Sequence, residues 1–232
     1  NADCFREGNP SDFVSLSMGC KYNPNLTWES EYVKKFLNYI YSLQLKKENA
    51  EYLLRVLGSC LYGRNDDNKI FFFYGKGSNG KSGLMKFLTK LFTSNYCTIS
   101  NYSMLTQKKC KSGDASPDVV RLKHKRLVVM DEANNTDLIQ TAIMKRLTGN
   151  DTIVARGLFE DESEFDPQFK IIITCNDMPP FDNIDFSVSR RVVKFNFDVK
   201  FVNPKEKRKE DFEYNEREAD LDIEKYLLTD EM

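Results

Sequence analysis

The chain is 232 residues long, 41% hydrophobic and 12% aromatic, with a formal net charge of −1. That is enough to bury the core of one sizeable domain, with or without a small helical companion, and it argues neither for nor against nucleic acid. No apolar run approaches the ~20 residues that span a bilayer, so no membrane partner is expected. Six scattered cysteines without a C-x-x-C pair, and a single histidine, His124, argue against zinc and for reduced thiols in an intracellular protein.

The sequence opens at Asn1 with no signal-peptide pattern and reads as an excised piece of something longer. Residues 1–27 are polar and turn-rich, with Asn-Pro at 9–10 and 23–24, and are expected to form an extended lead-in or linker. Residues 28–66 turn helical. Tyr32, Val33, Phe36, Leu37 and Ile40 share one face, and Leu53, Leu57, Cys60 and Leu61 another, which predicts two helices joined near Gln44–Asn49. A polar loop from Gly63 to Asn68 then delivers the chain into a core placed at 67–203.

That core begins with a buried strand, Ile70–Tyr74, which stops abruptly at Gly75-Lys76-Gly77-Ser78-Asn79-Gly80-Lys81-Ser82. Leu84, Phe87, Leu88 and Leu91 follow at helical spacing. A strand, a G-x-x-x-x-G-K-S loop and a helix in that order make a phosphate cradle, with Gly75, Ser78, Asn79, Gly80, Lys81 and Ser82 as its candidate residues. Backbone N–H groups and the helix start would bind phosphate oxygens. Lys81 would reach the β- and γ-phosphates of ATP, and the Ser82 hydroxyl would ligate Mg²⁺. Gly83, inside the first helical turn, costs about 1 kcal/mol relative to Ala, and the sequence offers no reason for it.

A short strand is expected at Cys97–Ser100, then a loop-like basic segment carrying Lys108, Lys109, Lys111, Lys123, Lys125 and Arg126. Such a run is either solvated surface or a path for a phosphodiester backbone. Arg126–Met130 is another buried strand, ending in Asp131-Glu132. Asp131 suits a Mg²⁺ held through water, and Glu132 a general base for the attacking water. A helix follows at Thr136–Leu147, and then a β-hairpin with strands at Thr152–Phe159 and Phe165–Phe169 joined by Glu160-Asp161-Glu162-Ser163. Lys170–Thr174 is a further buried strand. Asn176, just past its tip, would bridge the γ-phosphate and the lytic water if the strands are parallel neighbours. Ser189-Arg190-Arg191 precedes a last strand, Val192–Phe197. The tail at 204–232 holds 6 Lys/Arg against 11 Asp/Glu, leaving 28 basic and 24 acidic residues before it. It reads as disordered or as an inter-subunit contact, with one short helix around Leu221–Leu228.

Taken together, GKGSNGKS, RLVVMDE, the helix and hairpin, IIITCND and SRRVVKF resemble superfamily 3 helicases, and among them the primase–helicases of large DNA viruses such as poxviruses and asfarviruses. Leu147-Thr148-Gly149-Asn150-Asp151 with Arg156 following, and Asn176 before Pro179, carry the same likeness, which covers residues 28–203. The resemblance implies an α/β, AAA+-like P-loop NTPase with a mainly parallel five-stranded sheet and an inserted hairpin, preceded by a helical module. It also implies a homo-hexameric ring with ATP at each subunit interface, acting on single-stranded or forked DNA. Lys81, Ser82, Asp131, Glu132 and Asn176 would act in cis. Arg191, with Arg190 as the fallback, would reach the neighbour's nucleotide. A primase domain would lie elsewhere in the full-length chain, and the host cytoplasm would be its site of action.

The hairpin would project into the pore of such a ring, yet its tip is acidic, which departs from some relatives. Grip on DNA would then fall to Lys145, Arg146, Arg156 or Lys170, or to backbone contacts. Phe159 and Phe165 either stack on bases or, the reading preferred here, pack the hairpin onto its neighbours. Two other classes stay open: a DNA-directed initiator or packaging scaffold that hydrolyses little ATP, and a small-molecule kinase.

Overall fold

Runs of Ile, Val and Phe too apolar for a half-exposed sheet become its central strands, because a parallel sheet is covered on both faces. In a computed structural model describing residues 9–12, 14–20, 23–107, 115–131 and 136–228, the chain opens with helices α1 (Glu31–Ser42) and α2 (Lys47–Ser59). Strand β1 (Ile70–Tyr74), helix α3 (Lys81–Tyr96), strand β2 (Cys97–Asn101), the short helices α4 (Ser103–Thr106) and α5 (Pro117–Val120), and strand β3 (Leu127–Asp131) follow. Next come α6 (Thr141–Thr148), the strands β4 (Ile153–Arg156) and β5 (Glu162–Phe165), β6 (Lys170–Cys175), α7 (Phe186–Ser189) and β7 (Val192–Asn196). The chain closes with β8 (Lys200–Val202), β9 (Glu216–Glu218) and α8 (Ile223–Leu227).

Five strands form one sheet in the order β2-β3-β6-β1-β7, and every pairing is parallel. All five therefore end at the same edge, and β6 lies between β1 and β3. Alternation along β1 divides its side chains between two cores. Phe71 and Phe73 pack with Ile40, Leu43, Leu53 and Leu57 of the helical pair and with Leu84 and Leu88 of α3. Ile70 and Phe72 pack on the other face with Leu105, Met144, Leu147 and Phe169. Each fully buried Phe contributes roughly 1.5–3 kcal/mol of transfer free energy, so the aromatic run Phe71–Phe73 anchors both layers. The helical pair shares its core with the sheet, without a seam between them.

Several elements differ from expectation. Helix α6 starts at Thr141, not Thr136. Long-range backbone bonds hold the preceding residues extended: Ile139 N–H donates to Pro180 O at 2.9 Å, and Asp182 N–H to Ile139 O at 3.0 Å. The Thr141 N–H then finds the Asp182 carboxylate at 3.0 Å, which starts the helix there. The hairpin is shorter than its sequence suggests. Its strands pair from Ile153↔Phe165 to Arg156↔Glu162, so Glu162 and Ser163 belong to a strand and the loop is Gly157–Asp161. The segment expected to be loop-like holds α4 and α5, while Lys108, Lys109 and Lys111 lie outside the described residues.

Residues 204–228 fold back on the same chain. β9 pairs in parallel with β8, Lys200 opposite Glu216, and Leu227 of α8 is 2% exposed within the core that contains Leu84 and Phe87. Among the described residues no helix is long and apolar enough to cross a membrane, and Cys20, Cys60, Cys97 and Cys175 are free thiols.

Candidate nucleotide-binding site

The loop after β1 is shaped by positions that tolerate little else. The Gly75 N–H donates to Cys175 O at 3.1 Å, tying the start of the loop to the tip of β6. Gly75 has φ +157°, and a Cβ there would lie 2.5 Å from the Phe197 carbonyl oxygen. Ser78 (φ 56°) and Gly80 (φ 81°) are left-handed, the curl that turns successive N–H groups toward a common centre. A Cβ on Gly80 would meet Leu43 Cδ2 at 2.4 Å, so the helical module closes on the loop from outside.

Polar bonds fix that curl. Phe201 N–H donates to Ser78 O at 2.7 Å, and Tyr39 Oη–H to Gly80 O at 3.0 Å. Asn79, 3% exposed, spends its amide on the loop itself, donating to Lys76 O and Phe197 O at 3.3 Å each. Asn79 thus acts as a brace within the loop.

Lys81 opens α3 and is 7% exposed, with its ammonium on the Gly75 carbonyl. Burial holds its pKa below the ordinary lysine value, with Cys175 nearby opposing the shift. Burial likewise pushes the Cys175 thiol up to about 11, against the pull of Lys81. A buried ammonium is an environment that an anion relieves.

A cavity of about 1060 Å³ opens over this loop. The sheet order decides what faces it. Tyr74 is level with Cys175, and Met130 with Ile173, so β6 delivers Asn176 between the loop after β1 and the end of β3. Asn176 and Ser82 are both exposed and both line the cavity. Asp131 is the last residue of β3, level with Asn101. Its side chain and the whole of Glu132 lie outside what is described. The Ser82 hydroxyl fits Mg²⁺, which takes few protein oxygens and draws the rest from phosphate and water; among the described residues no cluster of three acidic, Cys or His side chains offers a denser cage.

The second residue set lies elsewhere. Arg191 precedes β7, and its carbonyl accepts from Ile70 N–H at 2.9 Å, at the opposite end of β1 from the loop. A five-residue strand separates the two by roughly 17 Å, so Arg191 does not meet its own chain's cavity. Its guanidinium donates to Ser187 O and Oγ at 3.0 and 2.7 Å, whereas Arg190 is exposed.

Of the expected DNA contacts, Lys170 is corrected. It is 4% exposed and bonded to Asp67 Oδ1 at 3.0 Å and Arg64 O at 3.2 Å, a buried structural pair that cannot present charge to a phosphate backbone. Lys145 is paired with Asp185 at 2.7 Å, and Arg146 donates to Val154 O at 2.7 Å. Arg156 points out of β4, exposed. Phe165 packs as expected, at 9% exposure, but Phe159 is 98% exposed at the hairpin tip, against the expectation of packing.

Sequence reasoning missed Tyr39, Lys86 and Glu224. Lys86 and Glu224 line the cavity as an ion pair of 2.8 Å, from positions 138 residues apart. Gly83 is their one visible trace. A Cβ there would stand 3.1 Å from Tyr39 Oη and 3.5 Å from Glu224 Oε1, so the glycine admits both neighbours.

A family model described as a family of unknown function (DUF5906) matches residues 73–191. A protein of Acanthamoeba polyphaga mimivirus, provisionally named a helicase, is 35% identical over 90% of this chain and 22% of its own length. A fowlpox virus protein named a primase is 29% identical over 88% of this chain and 26% of its own. The chain therefore spans about a fifth to a quarter of the length of these relatives. The C-terminal region of NrS-1 shares the fold, with a TM-score of 0.62 at 18% identity over 91% of this chain and 45% of that one.

Proposed function

For a chain that belongs to the DUF5906 family, similar to helicases and primases of large DNA viruses, we propose that it is the ATP-hydrolysing motor domain of a viral replicative DNA helicase. The observation that carries this reading is the convergence of Lys81, Ser82 and Asn176 on one cavity at the carboxyl edge of a parallel sheet.

The loop N–H groups and Lys81 bind and orient the phosphates of ATP, and burial of Lys81 makes its charge more effective there. Ser82 and Asp131 would hold Mg²⁺, which would supply positive charge against the transferring phosphoryl group. Glu132 accepts the proton of the attacking water, and Asn176 holds that water against the γ-phosphate. Because Arg191 lies across the sheet from its own cavity, it serves a neighbouring subunit in a hexameric ring. Arginines in that role are worth about 10³–10⁵ in rate. The hairpin, led by the exposed Phe159 and Arg156, engages single-stranded or forked DNA. A primase domain in the same full-length chain and action in the host cytoplasm complete the proposal.

Two variants test the chemistry. Lys81→Met is expected to abolish binding of ATP. Glu132→Gln is expected to bind ATP with Mg²⁺ yet lose hydrolysis by at least about 10²-fold. Unchanged hydrolysis in Glu132→Gln would rule out the assigned base, and unchanged binding in Lys81→Met would rule out the site.

A further inference from the structure

We infer that the C-terminal segment 216–228 is the nucleoside-facing wall of the ATP site in the same chain, and that Glu224 contacts the sugar or base of the bound nucleotide. The inference rests on the nucleotide-binding reading and adds residues that lie outside every motif of the phosphate cradle.

The segment is anchored on the fold beside the site, and Glu224 is its residue that lines the cavity. Arg217 donates to Gln44 O at 3.1 Å, and Ala219 N–H to Val202 O at 2.9 Å. Tyr226 stacks on Tyr32 at 6.0 Å between ring centres, and Leu227 is buried beside α3. These contacts seat Glu224 on the face of α3 that Gly83 leaves open, with its Cγ 3.6 Å from the position of the missing Cβ. Lys86 donates to Glu224 Oε2 at 2.8 Å, and both side chains line the cavity beside Ser82.

Charge decides which part of a ligand can lie there. A carboxylate repels a triphosphate, so Glu224 cannot serve the phosphate end, which the loop and Lys81 already occupy. The nucleoside end carries hydroxyl and amino donors, and an ionised carboxylate is a pure acceptor. Lys86 neutralises part of its charge and fixes its orientation. Oε1 keeps its capacity to accept from the ligand. A nucleoside triphosphate laid with its phosphates on the loop meets Glu224 with its sugar or base.

The test compares two probes on the whole chain: ATP, and inorganic tripolyphosphate, which carries the phosphates without the nucleoside. Glu224→Gln keeps the shape of a half-exposed side chain, and its melting temperature verifies folding. The variant is expected to bind ATP about tenfold more weakly, the loss of one charge-assisted hydrogen bond, while tripolyphosphate affinity stays within about twofold. Equal weakening of both probes, or of neither, would overturn the assignment. Failure of the unaltered chain to bind either probe would instead sink the nucleotide reading beneath it.

Discussion

At the scale of single residues, the site depends on glycines and buried polar groups whose neighbours leave no slack. Gly80 combines φ +81° with Leu43 Cδ2 only 2.4 Å from where a methyl group would stand. Gly80→Ala is therefore expected to lower stability by about 2 kcal/mol or more, from left-handed strain and overpacking together, read as an earlier urea midpoint. Asn79→Ala removes two donated bonds from a buried brace. It should cost about 1–3 kcal/mol and weaken ATP binding without touching a phosphate contact. Lys170 tests the corrected DNA assignment. Asp67→Ala strips its carboxylate partner and should destabilise the fold by about 1–2 kcal/mol, discounted because Asp67 is half-exposed. DNA affinity should not change, as checked by denaturation and by a strand-binding titration.

Between residues and fold stand the elements, and here what the sequence discloses follows a physical rule. Strands β1, β3 and β6 are legible because a strand buried on both faces carries a continuous apolar run, and IFFFY, LVVM and the III of β6 are such runs. The loop after β1 is legible because its glycines answer a local backbone demand. Residues 136–140 carry a helical pattern yet are not helix, because Pro180 and Asp182, over 40 positions away, supply the hydrogen bonds that engage Ile139 and Thr141. β9 is invisible in sequence for a similar reason. Glu-Arg-Glu has no strand pattern, and it pairs with β8 because Glu216 is enclosed by basic partners. Lys207, the Glu213 N–H and Lys200 hold the Glu216 carboxyl down to about 2 from an ordinary 4.5. A depressed folded-state value contributes stability that is complete above the unfolded value and lost as pH falls through the folded one. Glu216→Gln should accordingly be less stable than the unaltered chain at neutral pH, with the difference shrinking below pH about 4.5 and gone near 2. A pH-independent difference in denaturant midpoint would contradict that reading of the β8–β9 bracket.

For the whole molecule, the sheet order places two chemical sets on opposite edges. Lys81, Ser82 and Asn176 gather at the carboxyl edge, while Arg190 and Arg191 lie at the amino edge beside the start of β1. A strand's length separates the two sets within one copy. In the proposed ring, the arginines of one copy would reach the cavity of the next. The most direct test is ATP turnover per subunit as a function of protein concentration, with and without single-stranded DNA, for the unaltered chain and for Arg191→Ala. A site shared between copies predicts turnover that rises with concentration, rises again with DNA, and falls by about 10³-fold or more in Arg191→Ala while ATP still binds. Turnover that is flat with concentration and indifferent to both DNA and Arg191 would contradict it.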